Sequence, residues 1–202
     1  MSATAASVIG LAAAPALAAA SWTVKPGGTV AGTAGTTTVT DTTAGASVTC
    51  TSSVAKGTLK KGSGLAGAGI GTIASLAFKS CNVSGVSVSL TVSGKMLLNA
   101  IKYSGTTKIA NMTITKIHGT LSASSVGCTA TIDGTSATAH NGMVTAKFSN
   151  KTDTLQVLAT GSTLKLYNVS GSGCSLGNIK NGDSINFTGS YKLKPKQTIT
   201  SP

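Results

Sequence analysis

The chain has 202 residues, 41% of them hydrophobic but only 3% aromatic, and a formal net charge of +12. That length fits one domain with a core built from Val, Ile, Leu and Ala, and no break in composition demands a second. All sixteen basic residues are Lys, the four acids are Asp41, Asp133, Asp153 and Asp183, and Glu is absent. The paired acids of a glycoside hydrolase and the Arg-based reading of nucleic-acid bases therefore have little to stand on.

Residues 1–20 read as a secretory signal: the apolar run from Ala5 to Ala18 ends in an Ala-x-Ala pattern. It is too short and Ala-rich to span a bilayer as a helix. The cationic region that usually precedes such a run is missing, so the leader is atypical or translation starts upstream of Met1. Residues 21–45 are Thr- and Gly-rich, and read either as an extended arm or as a first set of strands.

Residues 46–202 read as an all-β domain. Val86, Val88, Leu90 and Val92 alternate with Ser87, Ser89 and Thr91, the period of a half-buried strand. Val144, Ala146 and Phe148 begin another such run, Leu155 with Val157 a third, and Leu164 with Leu166 a fourth. Ile185, Phe187, Gly189, Tyr191 and Leu193 alternate with Asn186, Thr188, Ser190 and Lys192. The stretch GSGLAGAGIG, Gly62 to Gly71, lacks the Gly-Lys-Ser/Thr ending of a phosphate loop and reads as a flexible connection. Asp133-Gly134, Asn141-Gly142 and Asn181-Gly182 punctuate these runs as turns. The fold class expected is a single-domain antiparallel β-sandwich or barrel.

Cys50, Cys81, Cys128 and Cys174 are widely spaced, with no Cys-x-x-Cys pair. Behind a secretory leader they read as two disulfides rather than as a zinc site. Three connectivities are possible. Sequential pairing, Cys50 with Cys81 and Cys128 with Cys174, is preferred because each bond then clips one half of the chain.

Gly-Asp-Ser at Gly182 to Ser184 and Thr-Ala-His at Thr138 to His140 look like fragments of a trypsin-like protease. That enzyme requires His, Asp and Ser to be brought together from two barrels. The segment between His140 and Ser184 is too short for this, and Ser184 is followed by Ile185-Asn186 instead of Gly-Gly. Ser184 is read as a turn residue, and no catalytic residue, cofactor or metal site is assigned. His118, in ITKIHGT, is read as a strand-end surface histidine. No Asp-x-Asp loop points to calcium.

An all-Lys cationic surface favours polyanions such as acidic glycans, wall polymers or anionic headgroups. The alternative is that Lys keeps a β-rich surface soluble and its edges unpaired. Lys192, Lys194 and Lys196 share a parity in the last strand, so they are the candidate polyanion-binding residues, opposite Tyr191 and Leu193.

Beyond these readings, the segments VTCTSS (Val48 to Ser53), IGTIASLAFKSC (Ile70 to Cys81), LLNAIKY (Leu97 to Tyr103), NVSGSGCSLGNIKNGDSINFTGSY (Asn168 to Tyr191) and QTITSP (Gln197 to Pro202) resemble a group of small secreted actinobacterial proteins. The resemblance implies secretion and β-structure, and supplies no activity or ligand residues. Lys95-Met96 stand where such proteins often carry an aromatic residue and Pro. The function expected is a secreted, non-enzymatic β-domain with a binding or structural role at the cell envelope, retained weakly on an anionic polymer. The alternatives are a subunit of an extracellular filament or toxin assembly, in which residues 29–45 add to a neighbour's sheet, and a hydrolase with an unrecognised site.

Overall fold

The computed structural model describes residues 21–202, so the expected signal segment, 1–20, lies outside the described residues. The fold is an antiparallel barrel of eight strands, extended by further strands and stapled by two disulfides. In order around the barrel, β2 (Gly28–Ala34) pairs with β4 (Ser47–Leu59), β4 with β6 (Gly71–Val83), and β6 with β8 (Met96–Ser104). The ring continues through β9 (Ile109–Ile117), β12 (Gly142–Ser149), β13 (Thr154–Val157) and β15 (Ile185–Lys194), which returns to β2. A closed ring leaves no edge for another chain to extend.

Three of these strands are long enough to leave the barrel and take part in a second ring. Only Gly71–Ile73 of β6 pair with β8; from Ala77 onward β6 pairs with β7 (Val86–Val92). Likewise β15 pairs with β2 at Lys192–Lys194, but with β3 (Thr37–Asp41) at Ile185–Thr188. The second ring runs β3, β4, β6, β7, β10 (Gly119–Ala123), β11 (Cys128–Asp133) and β14 (Lys165–Ser170). It closes onto the start of β15 through Leu166 N–H to the Asp183 carbonyl at 2.9 Å, Gly182 N–H to the Leu166 carbonyl at 2.7 Å and Ile185 N–H to the Leu164 carbonyl at 3.0 Å. A five-residue helix, α1 (Ser172–Leu176), leads from β14 back towards this seam.

The alternating apolar residues face inward, as period 2 requires. Leu98, Ile114, Val144, Phe148, Leu155 and Leu193 are buried in the first ring, and Val48, Val88, Leu121 and Leu166 in the second. With few aromatics, large contacts are sparse: Phe78 meets Phe187 edge-on at 5.8 Å, and Tyr191 lies beyond it. The Tyr191 hydroxyl accepts a 2.8 Å hydrogen bond from Ser53 inside the core. Burial pushes this phenol up to about 12, the Ser53 hydrogen bond offsetting part of the rise.

The segment 21–45 is not a free arm. It forms β1 (Ser21–Lys25), β2 and β3, all folded onto the same chain. Nor is Gly62 to Gly71 wholly a flexible connection, because β5 (Gly62–Ala66) pairs with β1, which in turn pairs with β16 (Thr198–Thr200). This small sheet buries Trp22, Val24 and Ile199. Gly67 is required there, since a Cβ would sit 2.8 Å from the Trp22 indole nitrogen and 2.3 Å from the Ala100 carbonyl oxygen.

Cys50 is bonded to Cys81 and Cys128 to Cys174, the sequential pairing. The first joins directly opposed residues of β4 and β6. The second ties α1 to β11, enclosing 46 residues of sequence separation, for which loop closure stabilises by roughly 4 kcal/mol in the chain-entropy model.

Candidate functional site

The distribution of charge is the first feature of the surface. All four Asp side chains are buried, whereas all sixteen Lys residues are exposed. Three of the four carboxylates, those of Asp41, Asp133 and Asp183, accept backbone N–H groups of their own turns. Asp41 Oδ1 accepts the backbone N–H groups of Thr43 and Ala44, both at 2.8 Å, and so shapes the β3–β4 turn. Asp183 Oδ2 accepts Lys180 N–H at 2.7 Å in the Asn181-Gly182 turn, where Gly182 takes φ +88°. Asp153, with positive φ, begins the approach to β13, and its backbone carbonyl accepts Leu193 N–H at 2.8 Å.

Asp133 is the most heavily engaged. Its Oδ1 accepts Gly134 N–H at 2.6 Å and Asn141 N–H at 3.1 Å. Its Oδ2 accepts His140 N–H at 2.9 Å and lies 2.9 Å from His118 Nδ1. Burial pushes its carboxyl up, but the hydrogen bonds from Gly134, His118, His140 and Asn141 outweigh this and hold it below its ordinary value. The ionised carboxylate can only accept, so His118 Nδ1 carries the proton. The loop is tied further by Tyr167, whose hydroxyl donates to the Gly134 carbonyl at 2.8 Å.

His118 is thus a strand-end histidine with a buried partner, and residue reading alone missed the partner. The signal was the hairpin register: Gly119 faces Ile132 across β10 and β11, which sets 118 opposite 133. His140 completes the group, stacking on His118 with ring centroids 4.0 Å apart and planes 5° apart. The donor atoms of His118, Asp133 and His140 lie within 4.8 Å of one another, a spacing a metal ion could bridge. The geometry does not suit one. A metal sits in the plane of each imidazole that binds it, and two stacked rings whose planes are nearly parallel, 5° apart, do not converge on one point. Both carboxylate oxygens, moreover, already accept two hydrogen bonds each. In this arrangement the group organises the 134–141 loop.

The expected hairpin turns at Asp133-Gly134 and Asn141-Gly142 have a different origin. Neither glycine is among those with positive φ. Gly142 is needed because a Cβ would lie 2.5 Å from Leu164 Cδ2 and 2.6 Å from the Ile117 carbonyl oxygen. Ser184 is held by its backbone: its carbonyl accepts from Thr42 N–H and Oγ1, and its N–H donates to Thr43 Oγ1. Among the described residues, neither histidine ring hydrogen-bonds a hydroxyl or thiol, so the pair of His118 and Asp133 has no attached nucleophile.

Lys192 and Lys194 project outward from β15, opposite buried Tyr191 and Leu193. Lys196 follows Pro195 and is exposed. Two of the three are partly compensated: Lys192 Nζ and Lys196 Nζ each lie 3.9 Å from Asp153 Oδ2, and Lys192 also donates to the Thr152 carbonyl.

The described residues form two largely apolar cavities worth noting. One, of about 100 Å³, is walled by first-ring side chains such as Leu98, Ile114, Val144 and Leu193. The other, of about 300 Å³, lies within the second ring beside α1. Val39 and Ile185 line both, and neither histidine lines either. Comparison of the chain with protein-family models, curated proteins and solved structures returns no match.

Proposed function

We propose that the protein is a non-catalytic binding domain of the cell exterior, retained on anionic envelope polymers by its uniformly cationic surface. The observation that carries this reading is the sorting of charge: every Lys faces solvent and every Asp is buried. A net charge of +12 exceeds the magnitude of about 2–8 that serves a small domain for solubility. Because the acids are buried, most of the ammonium groups stand uncompensated, Lys192 and Lys196 beside Asp153 being the exceptions. Lys is a compact, strongly hydrated point charge, suited to diffuse attraction and poorly suited to bidentate recognition. Such binding selects charge density over chemical identity.

The two disulfides accord with an oxidising compartment, and among the described residues no helix is long and apolar enough to cross a membrane. The filament alternative loses its donor segment, since residues 29–41 belong to strands paired within the same chain. The hydrolase alternative would need a nucleophile beside His118, and none is bonded to it.

The test is equilibrium binding of the folded, oxidised protein to isolated cell walls and to a model polyanion across a salt series. Retention should be strong at low ionic strength and fall steeply towards physiological salt, where the Debye length is about 8 Å. Retention that is absent at low salt, or indifferent to salt, would reject the reading.

A further inference from the structure

Lys60 and Lys61 are the only adjacent lysines in the chain, and they join β4 to β5. The fold brings this pair to Lys25, the last residue of β1. Lys61 directly precedes Gly62, which faces Val24 across the β1–β5 ladder, so Lys61 comes up beside Lys25. Gly27 packs directly on the pair: a Cβ there would lie 2.7 Å from the Lys60 carbonyl oxygen and 2.8 Å from Lys61 Cβ. Lys196 borders the same turn, because its neighbour Gln197 accepts the Gly27 N–H through Oε1 at 3.1 Å and Thr198 faces Lys25. Gln197 is buried and also donates through Nε2 to the Pro195 carbonyl at 3.1 Å, which braces the turn. All four lysines are exposed. Lys196 shares Asp153 with Lys192, whereas Lys25, Lys60 and Lys61 make no ion pair among the described residues. Like charges gathered on adjoining strands repel and cost stability, and no acid among the described residues offsets this trio.

We propose that Lys25, Lys60 and Lys61, with Lys196 at the margin, form a binding site for a compact anion of two or more charges, of the phosphomonoester or oligophosphate class. A phosphomonoester concentrates about −1.5 to −2 charges on one small group at neutral pH, so it draws on several ammonium groups at once. Lys serves phosphate as a point charge, without the planar fork by which Arg grips a carboxylate. A single carboxylate brings one charge and leaves the remaining lysines repelling one another. A phosphodiester polymer spreads its charges one per linkage and gains from the whole cationic surface instead. The site therefore goes beyond diffuse retention on envelope polymers. Its ligand is small, and its close contacts persist at physiological salt, where the Debye length of about 8 Å screens the longer-range field.

Titration of the oxidised protein with inorganic triphosphate, orthophosphate and acetate at physiological salt, followed by calorimetry and amide NMR shifts, tests the site. Triphosphate should bind saturably and shift the amides of residues 25–28, 60–62 and 196–198; orthophosphate should bind more weakly and acetate not at all. Changing Lys25, Lys60 and Lys61 together to Gln should lower triphosphate affinity about tenfold or more. Changing Lys79, Lys165 and Lys180, three lysines around the second ring, removes the same net charge and should leave that affinity nearly unchanged. Both variants replace exposed side chains and should fold as the parent does. Equal loss of triphosphate affinity in the two variants would overturn the proposal, since net charge alone would then account for binding. So would shifts spread over the whole surface, acetate binding as triphosphate does, or no saturable binding at millimolar concentration. Diffuse retention is read separately, on a glycerol phosphate polymer at low salt, where the first triple variant should lose no more than the second. Retention that survives beside a failed triphosphate titration rejects this site and leaves the polyanion reading standing.

Discussion

Asp133 shows how one side chain can hold a loop that has little regular structure. Its four hydrogen bonds reach Gly134, His140, Asn141 and His118, spanning the loop and the neighbouring hairpin. The lowered carboxyl pKa has a definite sign for stability. A group whose folded pKa lies below its unfolded value stabilises the fold above that unfolded value, and the contribution fades as pH falls through the folded pKa. Asp133 should therefore support the fold fully at neutral pH and lose its effect below its ordinary value of 3.8. Asp133→Asn, which presents an amide group where donors already point, is expected to cost about 1–3 kcal/mol at neutral pH. Urea midpoints measured against pH should show the gap between variant and parent closing below about pH 4, at the unfolded carboxylate value. A gap unchanged into acid would deny Asp133 its charged role. The pairing itself was within reach of sequence once the β10–β11 register was counted, but His140 was not, because its place depends on an eight-residue loop that the carboxylate itself folds.

The strands were legible where one face is apolar and the other Ser, Thr or Lys. β7 and β15 follow the alternation read along the chain, with Val88, Ile185, Tyr191 and Leu193 buried as that period requires. β5 was hidden because Gly62-Ser63-Gly64 has no side-chain period; its strand state comes from pairing with β1, some forty residues earlier in the chain. The sharing of β4, β6 and β15 between two rings was hidden for the same reason: it rests on long-range pairings and on bulges such as the register shift at Lys56/Gly57. The disulfides differ in what they hold. Cys50–Cys81 sits within a ladder running from Thr49↔Asn82 to Leu59↔Gly71, which persists without it. Cys128–Cys174 anchors a five-residue helix too short to be stable alone. Replacing Cys128 and Cys174 together by Ala should lower stability by about 2–5 kcal/mol and open the amides of 172–179 to hydrogen exchange. Replacing Cys50 and Cys81 should lower stability comparably yet leave β4 and β6 protected relative to α1. Equal exchange of 172–179 in both variants would show that α1 is held by packing and not by its covalent tie.

At the scale of the molecule, the charge was legible as a total but not as an arrangement. Parity placed Lys192, Lys194 and Lys196 on one side, and two of them stand beside Asp153. Closure of the barrel puts other lysines into rows that no linear reading assembles. Lys102 faces Asn111, which faces Lys147, across β8, β9 and β12; Lys194 faces Ala31, which faces Lys56, across β15, β2 and β4. Lysines two strands apart in such a row stand about 10 Å from one another, close to the Debye length, so a flexible polymer can meet several at once. Asp153 is the only acid within 4.0 Å of any lysine among the described residues, so Lys56, Lys102 and Lys147 carry uncompensated charge. Two triple variants separate these contributions. Changing Lys56, Lys102 and Lys147 to Gln should weaken low-salt retention on a polyanion and flatten its salt dependence more than changing Lys192, Lys194 and Lys196, because part of the latter trio's field is cancelled at Asp153. Both variants should fold as the parent does, since every substituted side chain is exposed. If the Lys192, Lys194 and Lys196 variant alone loses retention, binding is localised at the end of β15 and the distributed surface is a solubility device.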